Sequence, residues 1–196
     1  MGLAQRDLDY HTYADYCSWP DDVRYELIDG AAFAMGPAPL RVHQKVLFEI
    51  GRQVANALEG KPCEAYIAPF DVRLPKSDEI DDLVDTVVQP DLSVICDPQK
   101  LDRRGCRGAP DWVVEVLSRS TASHDQMQKR RVYERAGVGE LWLVHPVDRI
   151  VTIYRLDAGR YGAPDVFELK DSLAVGILPE IVIDWAKVTR GLPEED

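Results

Sequence analysis

The spacing of apolar and polar positions divides the chain into an opening hairpin, a long helix, several strands, a second helix and a closing group of strands. Arg24-Tyr-Glu-Leu-Ile-Asp29-Gly30 followed by Ala31 to Met35 predicts a hairpin, since Asp-Gly supplies the positive φ angles of a type I′ turn. From Leu40 to Glu59, the residues Val42, Val46, Ile50, Val54, Ala57 and Leu58 recur on one stripe at helical spacing. Gly60 and Pro62 then end the helix. Tyr66 to Leu74 predicts one half-buried strand, with Phe70, Val72 and Leu74 on one face and Asp71 and Arg73 on the other. Pro75 to Asp82 reads as a charged loop.

Val84 to Val88 and Asp91 to Cys96 are β-branched-rich runs separated by Pro90, which suits a strand end, edge or bulge. Asp97 to Pro110 reads as a turn-rich loop, and Trp112-Val-Val-Glu-Val-Leu117 is the most strongly apolar strand of the chain. Ser123 and Gln126 form a candidate capping box for a helix from His124 to Ala136, which Gly137 closes. Glu140 to Val144 and Arg149 to Leu156 predict an antiparallel pair around His145-Pro-Val-Asp148. Pro179 to Arg190 reads as strand passing into short helix. Helices separated by strands predict an α/β or α+β fold with a central mixed β-sheet flanked by helices.

Size and composition narrow the reading without changing it. The 196 residues fit one domain over 1–196. Hydrophobic residues at 45% and charged residues at 29% are ordinary for a globular protein. No apolar run approaches the roughly 18 residues that span a bilayer, and the polar, acidic N-terminus is unlike a signal peptide. A cytoplasmic protein without a membrane partner is therefore expected. Cys17, Cys63, Cys96 and Cys106 lack Cys-x-x-Cys spacing, so free, partly buried thiols are expected rather than zinc ligands or disulfides. A net charge of −11 counts against tight nonspecific nucleic-acid binding but leaves room for a local basic patch. Arg103 to Arg107 is the segment best suited to touch DNA.

Glu115 is the most informative residue. Trp112, Val113, Val114, Val116 and Leu117 surround it, so both faces of its strand are expected to be buried. An ionised carboxylate there costs several kcal/mol unless it is paired or bound to a metal. Asp91, after Pro90, could as well accept hydrogen bonds in a turn, but two carboxylates at neighbouring strand ends can supply hard oxygen ligands for Mg²⁺ or Mn²⁺. On the 124–136 helix, Lys129 shares its face with Val132, Tyr133 and Ala136, and so is expected to point inward. The plainer alternative is a surface pair with Asp125. Glu26, in an apolar hairpin strand, and His43, in the apolar helix stripe, are second-tier candidates, with a satisfied core histidine the simpler account of His43. Ser118, Ser120, Thr121 and Ser123 lack the frame of a nucleophile elbow and suit a helix cap better.

These residues fall in an ordered series. Tyr25-Glu-Leu-Ile-Asp-Gly30, Met35, Pro37, His43 and Pro90-Asp91 come first, then Gly108-Ala-Pro-Asp-Trp-Val-Val-Glu-Val-Leu-Ser118. Thr121, Asp125, Lys129 and Tyr133 follow, and then Gly137-Val-Gly-Glu-Leu-Trp142 and His145-Pro146. The series, covering about residues 20–160, resembles the Uma family of restriction-endonuclease-like proteins. The resemblance implies a PD-(D/E)XK nuclease-like fold. It implies Asp91 and Glu115 as metal ligands, with the backbone carbonyl of Val116 as a further one. The standard motif has a lysine two residues after the second acid; here that position is Leu117, and Lys129 resembles a migrated replacement. Arg119 stands where a proline is usual.

The expectation is a Mg²⁺- or Mn²⁺-dependent endonuclease hydrolysing DNA, with Asp91, Glu115 and Lys129 as its catalytic residues; a homodimer would suit cleavage of both strands. Two alternatives stay open: a nuclease-fold binding or scaffold protein without turnover, and a metal-dependent hydrolase acting on something other than nucleic acid.

Overall fold

The computed structural model describes residues 6–7, 9–20, 23–36, 38–117 and 124–193, with backbone alone for 6–7 and 124–126. In chain order the first elements are β1 (Arg6–Asp7), α1 (Tyr13–Tyr16), β2 (Tyr25–Ile28), β3 (Ala31–Ala34), α2 (Arg41–Leu58), β4 (Glu64–Ile67), β5 (Val72–Arg73), β6 (Val87–Val88) and β7 (Leu92–Ile95). Then come β8 (Leu101–Asp102), β9 (Gly105–Arg107), β10 (Trp112–Val116), α3 (His124–Ala136), β11 (Glu140–His145) and β12 (Ile150–Asp157). The chain ends through β13 (Arg160–Tyr161), β14 (Asp165–Glu168), β15 (Ser172–Ala174), β16 (Val182–Asp184) and α4 (Trp185–Thr189).

Two sheets dominate. One has the order β1-β3-β2-β6-β5-β9-β8; the other is β13-β12-β11-β10-β7-β4, with β14 beside β12. In the second, β10 and β11 run parallel and the other pairs antiparallel, so it is the mixed sheet expected from the sequence. Helix α3 makes the crossover that parallel neighbours require.

The sheet is covered on both faces, which explains the unbroken apolar run of β10. Trp112, Val114 and Val116 face one core, with Val46, Ile50 and Val54 of α2. Val113 faces the other, with Val132 and Tyr133 of α3. Side chains alternate along a strand, so Glu115 shares the Val113 face and is directed toward α3. Trp142 anchors the first core, with its ring 5.0 Å from Trp112 and 6.0 Å from Trp185.

The hairpin β2–β3 turns at Asp29 (φ 50°) and Gly30 (φ 78°), as Asp-Gly predicts. The single strand expected over 66–74 is instead two strands in different sheets: β4 pairs with β7, β5 with β6 and β9. Pro69, which has no N–H for a ladder, lies in the break. Asp97 to Pro110 is more ordered than a loop, since β8 and β9 pair antiparallel within it. Arg73, expected on a polar face, is fully buried between Asp81 and Asp102, with its Nη2 2.7 Å from Asp102 Oδ2. Cys63 and Cys96 form a disulfide across the end of the β4–β7 pair, contrary to the expectation of free thiols, whereas Cys17 and Cys106 are free. Two residues on adjacent strands can be joined this way with no motif in the sequence. The Ser123–Gln126 capping box lies outside the described residues. Among the described residues no helix is long and apolar enough to cross a membrane.

Candidate active site

The chain passes from β6 in the first sheet to β7 in the second through Gln89-Pro90-Asp91. Asp91 therefore sits at the seam between the sheets, one residue ahead of β7. Its Oδ2 accepts a 2.7 Å hydrogen bond from the Val116 N–H at the end of β10 and stands 3.0 Å from His43 Nε2 near the start of α2. His43 is thus a partner of Asp91, and a histidine in the α2 stripe has found its polar match at the sheet end.

Glu115 and Lys129 meet on the other side of the second sheet. Lys129 projects inward from α3, as its helical phase predicts, and its Nζ lies 3.2 Å from Glu115 Oε1 and 2.8 Å from Glu26 Oε1. The side chain of Asp125, the alternative partner for Lys129, lies outside the described residues. Tyr133, one turn further along α3, donates a 2.6 Å hydrogen bond to the same Glu115 oxygen. Glu26 Oε1 also accepts from the Gln89 N–H at 2.7 Å. The first sheet therefore contributes Glu26, the second contributes Glu115 with Asp91 at its edge, and α3 contributes the cation that Glu26 and Glu115 share. Leu117 packs against the second core, so no polar group stands at that strand position.

Glu26 and Glu115 both contact Lys129, and the crowding of charge shows in the ionisation of Glu115. Burial pushes the Glu115 carboxyl up to about 7; Lys129 opposes the shift, while Asp91 and Glu26 add to it. Burial alone would lower the Lys129 ammonium, but Glu115 and Glu26 outweigh it and hold the group above the ordinary lysine range. Burial, reinforced by Glu115 and Glu26, likewise raises the Tyr133 hydroxyl well above its usual value, so it stays a donor.

A second buried acid gives a useful contrast. Glu140 is 0% exposed, and both of its oxygens are engaged. Oε1 accepts from Trp142 Nε1 at 2.6 Å and from the Gly176 N–H at 3.1 Å, and Oε2 accepts from the Ile177 N–H at 3.0 Å. Glu140 is a structural brace for the 175–178 turn. At Asp91 and Glu115, by contrast, the hydrogen bonds from described residues all fall on one oxygen of each carboxylate. Two hard oxygen donors with a free side fit a divalent ion such as Mg²⁺, which keeps several waters and needs only one or two carboxylates. Among the described residues no three His, Cys, Asp or Glu side chains group as a metal cage.

The segment expected to touch DNA divides in two. Arg107 is held by Asp81 Oδ1 at 2.7 Å and by the Glu79 carbonyl at 2.5 Å. Arg103 and Arg104 are exposed at the β8–β9 turn. Glu26, a second-tier candidate in the sequence, contacts Lys129 directly, and Gln89, to which the sequence gives no role, donates its N–H to Glu26. A carboxylate within the apolar strand Tyr25–Ile28 was the signal available for Glu26; a backbone N–H carries none.

The uncharacterized protein slr1290 of Synechocystis sp. is 31% identical over 178 residues, 84% of this chain and 88% of its own. The crystal structure of a putative nuclease belonging to DUF820 from Anabaena variabilis superposes with a TM-score of 0.72 at 19% identity, covering 91% of this chain and 97% of that one. At that identity the likeness speaks for the fold. Residues 12–186 match the model of the Uma2 family, described as "Putative restriction endonuclease", and the chain belongs to that family.

Proposed function

We propose that this protein is a divalent-metal-dependent endonuclease that hydrolyses DNA phosphodiester bonds at the seam between its two sheets. The observation that carries the reading is the meeting of Glu115 with Lys129, at 3.2 Å, on a fully buried strand whose end also holds Asp91 through the Val116 N–H. In this reading Asp91, Glu115 and the Val116 carbonyl would hold Mg²⁺ or Mn²⁺. Such an ion polarises a phosphoryl oxygen and lowers the pKa of a bound water. His43 and the Val116 N–H fix the rotamer of Asp91, and Tyr133 fixes that of Glu115. Lys129 supplies a buried positive charge where the phosphate gains negative charge in the transition state, and a preorganised charge costs no reorganisation there. Glu26 keeps that ammonium in place.

The test is cleavage of plasmid and single-stranded DNA in Mg²⁺ or Mn²⁺ by the wild type beside Glu115→Ala and Asp91→Ala. Cleavage by the wild type alone is expected. Equal cleavage by all three, or none by any over a broad set of DNA substrates, overturns the reading.

One observation favours a second reading, a nuclease-fold binding protein without turnover: Leu117 occupies the usual lysine position, and Lys129 is already paired with Glu26. Calorimetric titration with Mn²⁺ separates the two. Heat of binding that disappears in Asp91→Ala supports the enzyme, and no binding supports the scaffold.

A further inference from the structure

Beside the seam lies a cleft of about 500 Å³ that the proposed chemistry does not use. That volume lies within the range of sites that hold small organic ligands. Trp19, Tyr25 and Phe70 give it aromatic walls, Arg103 and Arg104 stand at its rim, and Gln89 lines it on the side of the seam. Trp19 and Tyr25 meet edge to face, with centroids 4.9 Å apart.

The charge of the cleft differs from that of the whole chain. Among the described residues two acids line it: Asp71 Oδ1 accepts from Tyr16 Oη and from Gln89 Nε2, both at 2.9 Å, and Asp102 Oδ2 is paired with Arg73. Arg24, Arg103 and Arg104, which also line it, are exposed and make no ion pair among the described residues. Among the described lining residues these three guanidinium groups outnumber the one carboxylate without an ion pair, Asp71, so the described lining is net positive on a chain of net charge −11. Gln89 is 6% exposed, and its Oε1 has no hydrogen-bond partner among the described residues. A buried amide oxygen without a donor is costly, and a ligand N–H would satisfy it.

Aromatic faces, exposed guanidinium groups (that of Arg104 lies 5.8 Å from the Tyr13 ring centroid) and an unmatched amide acceptor together suit one ligand chemistry: an unpaired nucleobase with its adjoining phosphates. The position suits it as well. Gln89 donates its backbone N–H to Glu26, and Asp91 follows two residues later, within about 7 Å along the chain. We infer that the cleft receives an unpaired nucleotide of the polynucleotide strand and so places a neighbouring phosphate at Asp91. This rests on the nuclease reading above and extends it: the substrate is a single strand or an extruded base, because the edges of a paired base are closed to such a cleft.

Trp19 gives a direct readout, since Trp112, Trp142 and Trp185 are at most 1% exposed. Oligodeoxythymidylate of about eight nucleotides, within the span one such site covers, is titrated in EDTA into wild type and into Glu115→Gln while tryptophan fluorescence is recorded. Saturable quenching in both proteins is expected, with no quenching in Trp19→Phe. Arg103→Glu/Arg104→Glu, confined to an exposed turn and checked for folding by circular dichroism, is expected to bind at least about tenfold more weakly, as is a blunt duplex of the same length offered to the wild type. Absence of quenching in the wild type, or an unchanged affinity in the double variant, overturns the inference. The two readings fail separately. If Glu115-dependent cleavage survives while Arg103→Glu/Arg104→Glu binds and cleaves single strands like the wild type, the cleft reading falls and the nuclease reading stands. If the oligonucleotide binds as expected but no metal supports cleavage, the cleft reading stands and the nuclease reading falls.

Discussion

The ammonium of Lys129, on α3, lies 2.8 Å from the carboxylate of Glu26, on the opening hairpin. The pair joins the first sheet to a helix that covers the second, and it places the lysine beside Glu115.

Removing the cation leaves Glu26 and Glu115 buried together with no charge between them. Breaking a buried pair in this way costs about 3–5 kcal/mol. Lys129→Met is therefore expected to lower stability to urea by that order, and Glu26→Gln/Lys129→Met to recover part of the loss. Equal loss in the single and double variants would show that the pair is not coupled. In the nuclease reading Lys129→Met also slows cleavage by about 10²–10³-fold, the scale of removing one preorganised charge stabiliser.

His43 Nε2 lies 3.0 Å from Asp91 Oδ2, and in the nuclease reading it orients that carboxylate. His43→Ala is expected to leave the fold intact and to weaken Mn²⁺ binding by about 10- to 100-fold, the usual effect of losing a group that orients a ligand. Calorimetry reads this directly, and unchanged affinity would show that the Val116 N–H alone fixes Asp91.

Glu115 gives stability an unusual pH dependence. Its carboxyl rises from an ordinary 4.5 to about 7 in the folded protein, so between those values the folded chain holds a proton that the unfolded chain has released. Stability from this group therefore falls as pH rises through that window, opposite to an ordinary ion-paired carboxylate. Glu115→Gln is expected to flatten the fall when urea midpoints are compared from about pH 5 to 7. Metal binding has to displace the same proton, so Mn²⁺ affinity is expected to rise as pH passes through about 7.

The disulfide closes a loop of sequence separation 33. Loop-closure entropy for that length corresponds to about 3–4 kcal/mol. Cys63→Ser is expected to lower the urea midpoint accordingly, and reduction of the wild type to have the same effect. Reduction without effect would show that the bond does not constrain the unfolded chain.

Much of this site can be read from residue spacing. Glu115 stands out because an acid inside Trp112–Leu117 has no polar face to occupy, and Lys129 because helical phase directs it inward with Tyr133. Asp91 becomes visible only beside them, since a Pro-Asp pair alone suits any turn. What could not be read are the contacts between distant segments. Glu26 reaches Lys129 because β2 joins β6 through one register pair, Leu27 with Val87, which no local pattern encodes. The division of 66–74 between two sheets escaped detection because alternation reports burial on one face and is silent about which sheet supplies the partner. Arg73 was misplaced for the same reason: alternation assigned it to water, while Asp81 and Asp102 make its burial tolerable.

Pro90 has a consequence of another kind. It separates Gln89, which follows β6 and meets Glu26 through its N–H, from Asp91, one residue ahead of β7. Lacking an N–H, it cannot extend either ladder, so the two sheets cannot zip into one continuous surface at this point. The spacer also counts residues. An insertion between Val88 and Leu92 would either turn Asp91 to the opposite side of its strand or shift every pairing of β7 by one. Length polymorphism is therefore expected to avoid these three residues and to collect at solvent-facing turns such as Ala158-Gly159. The spacer works as a ruler: it sets the distance between the acid and the lysine clamp by number of residues, independently of their chemistry.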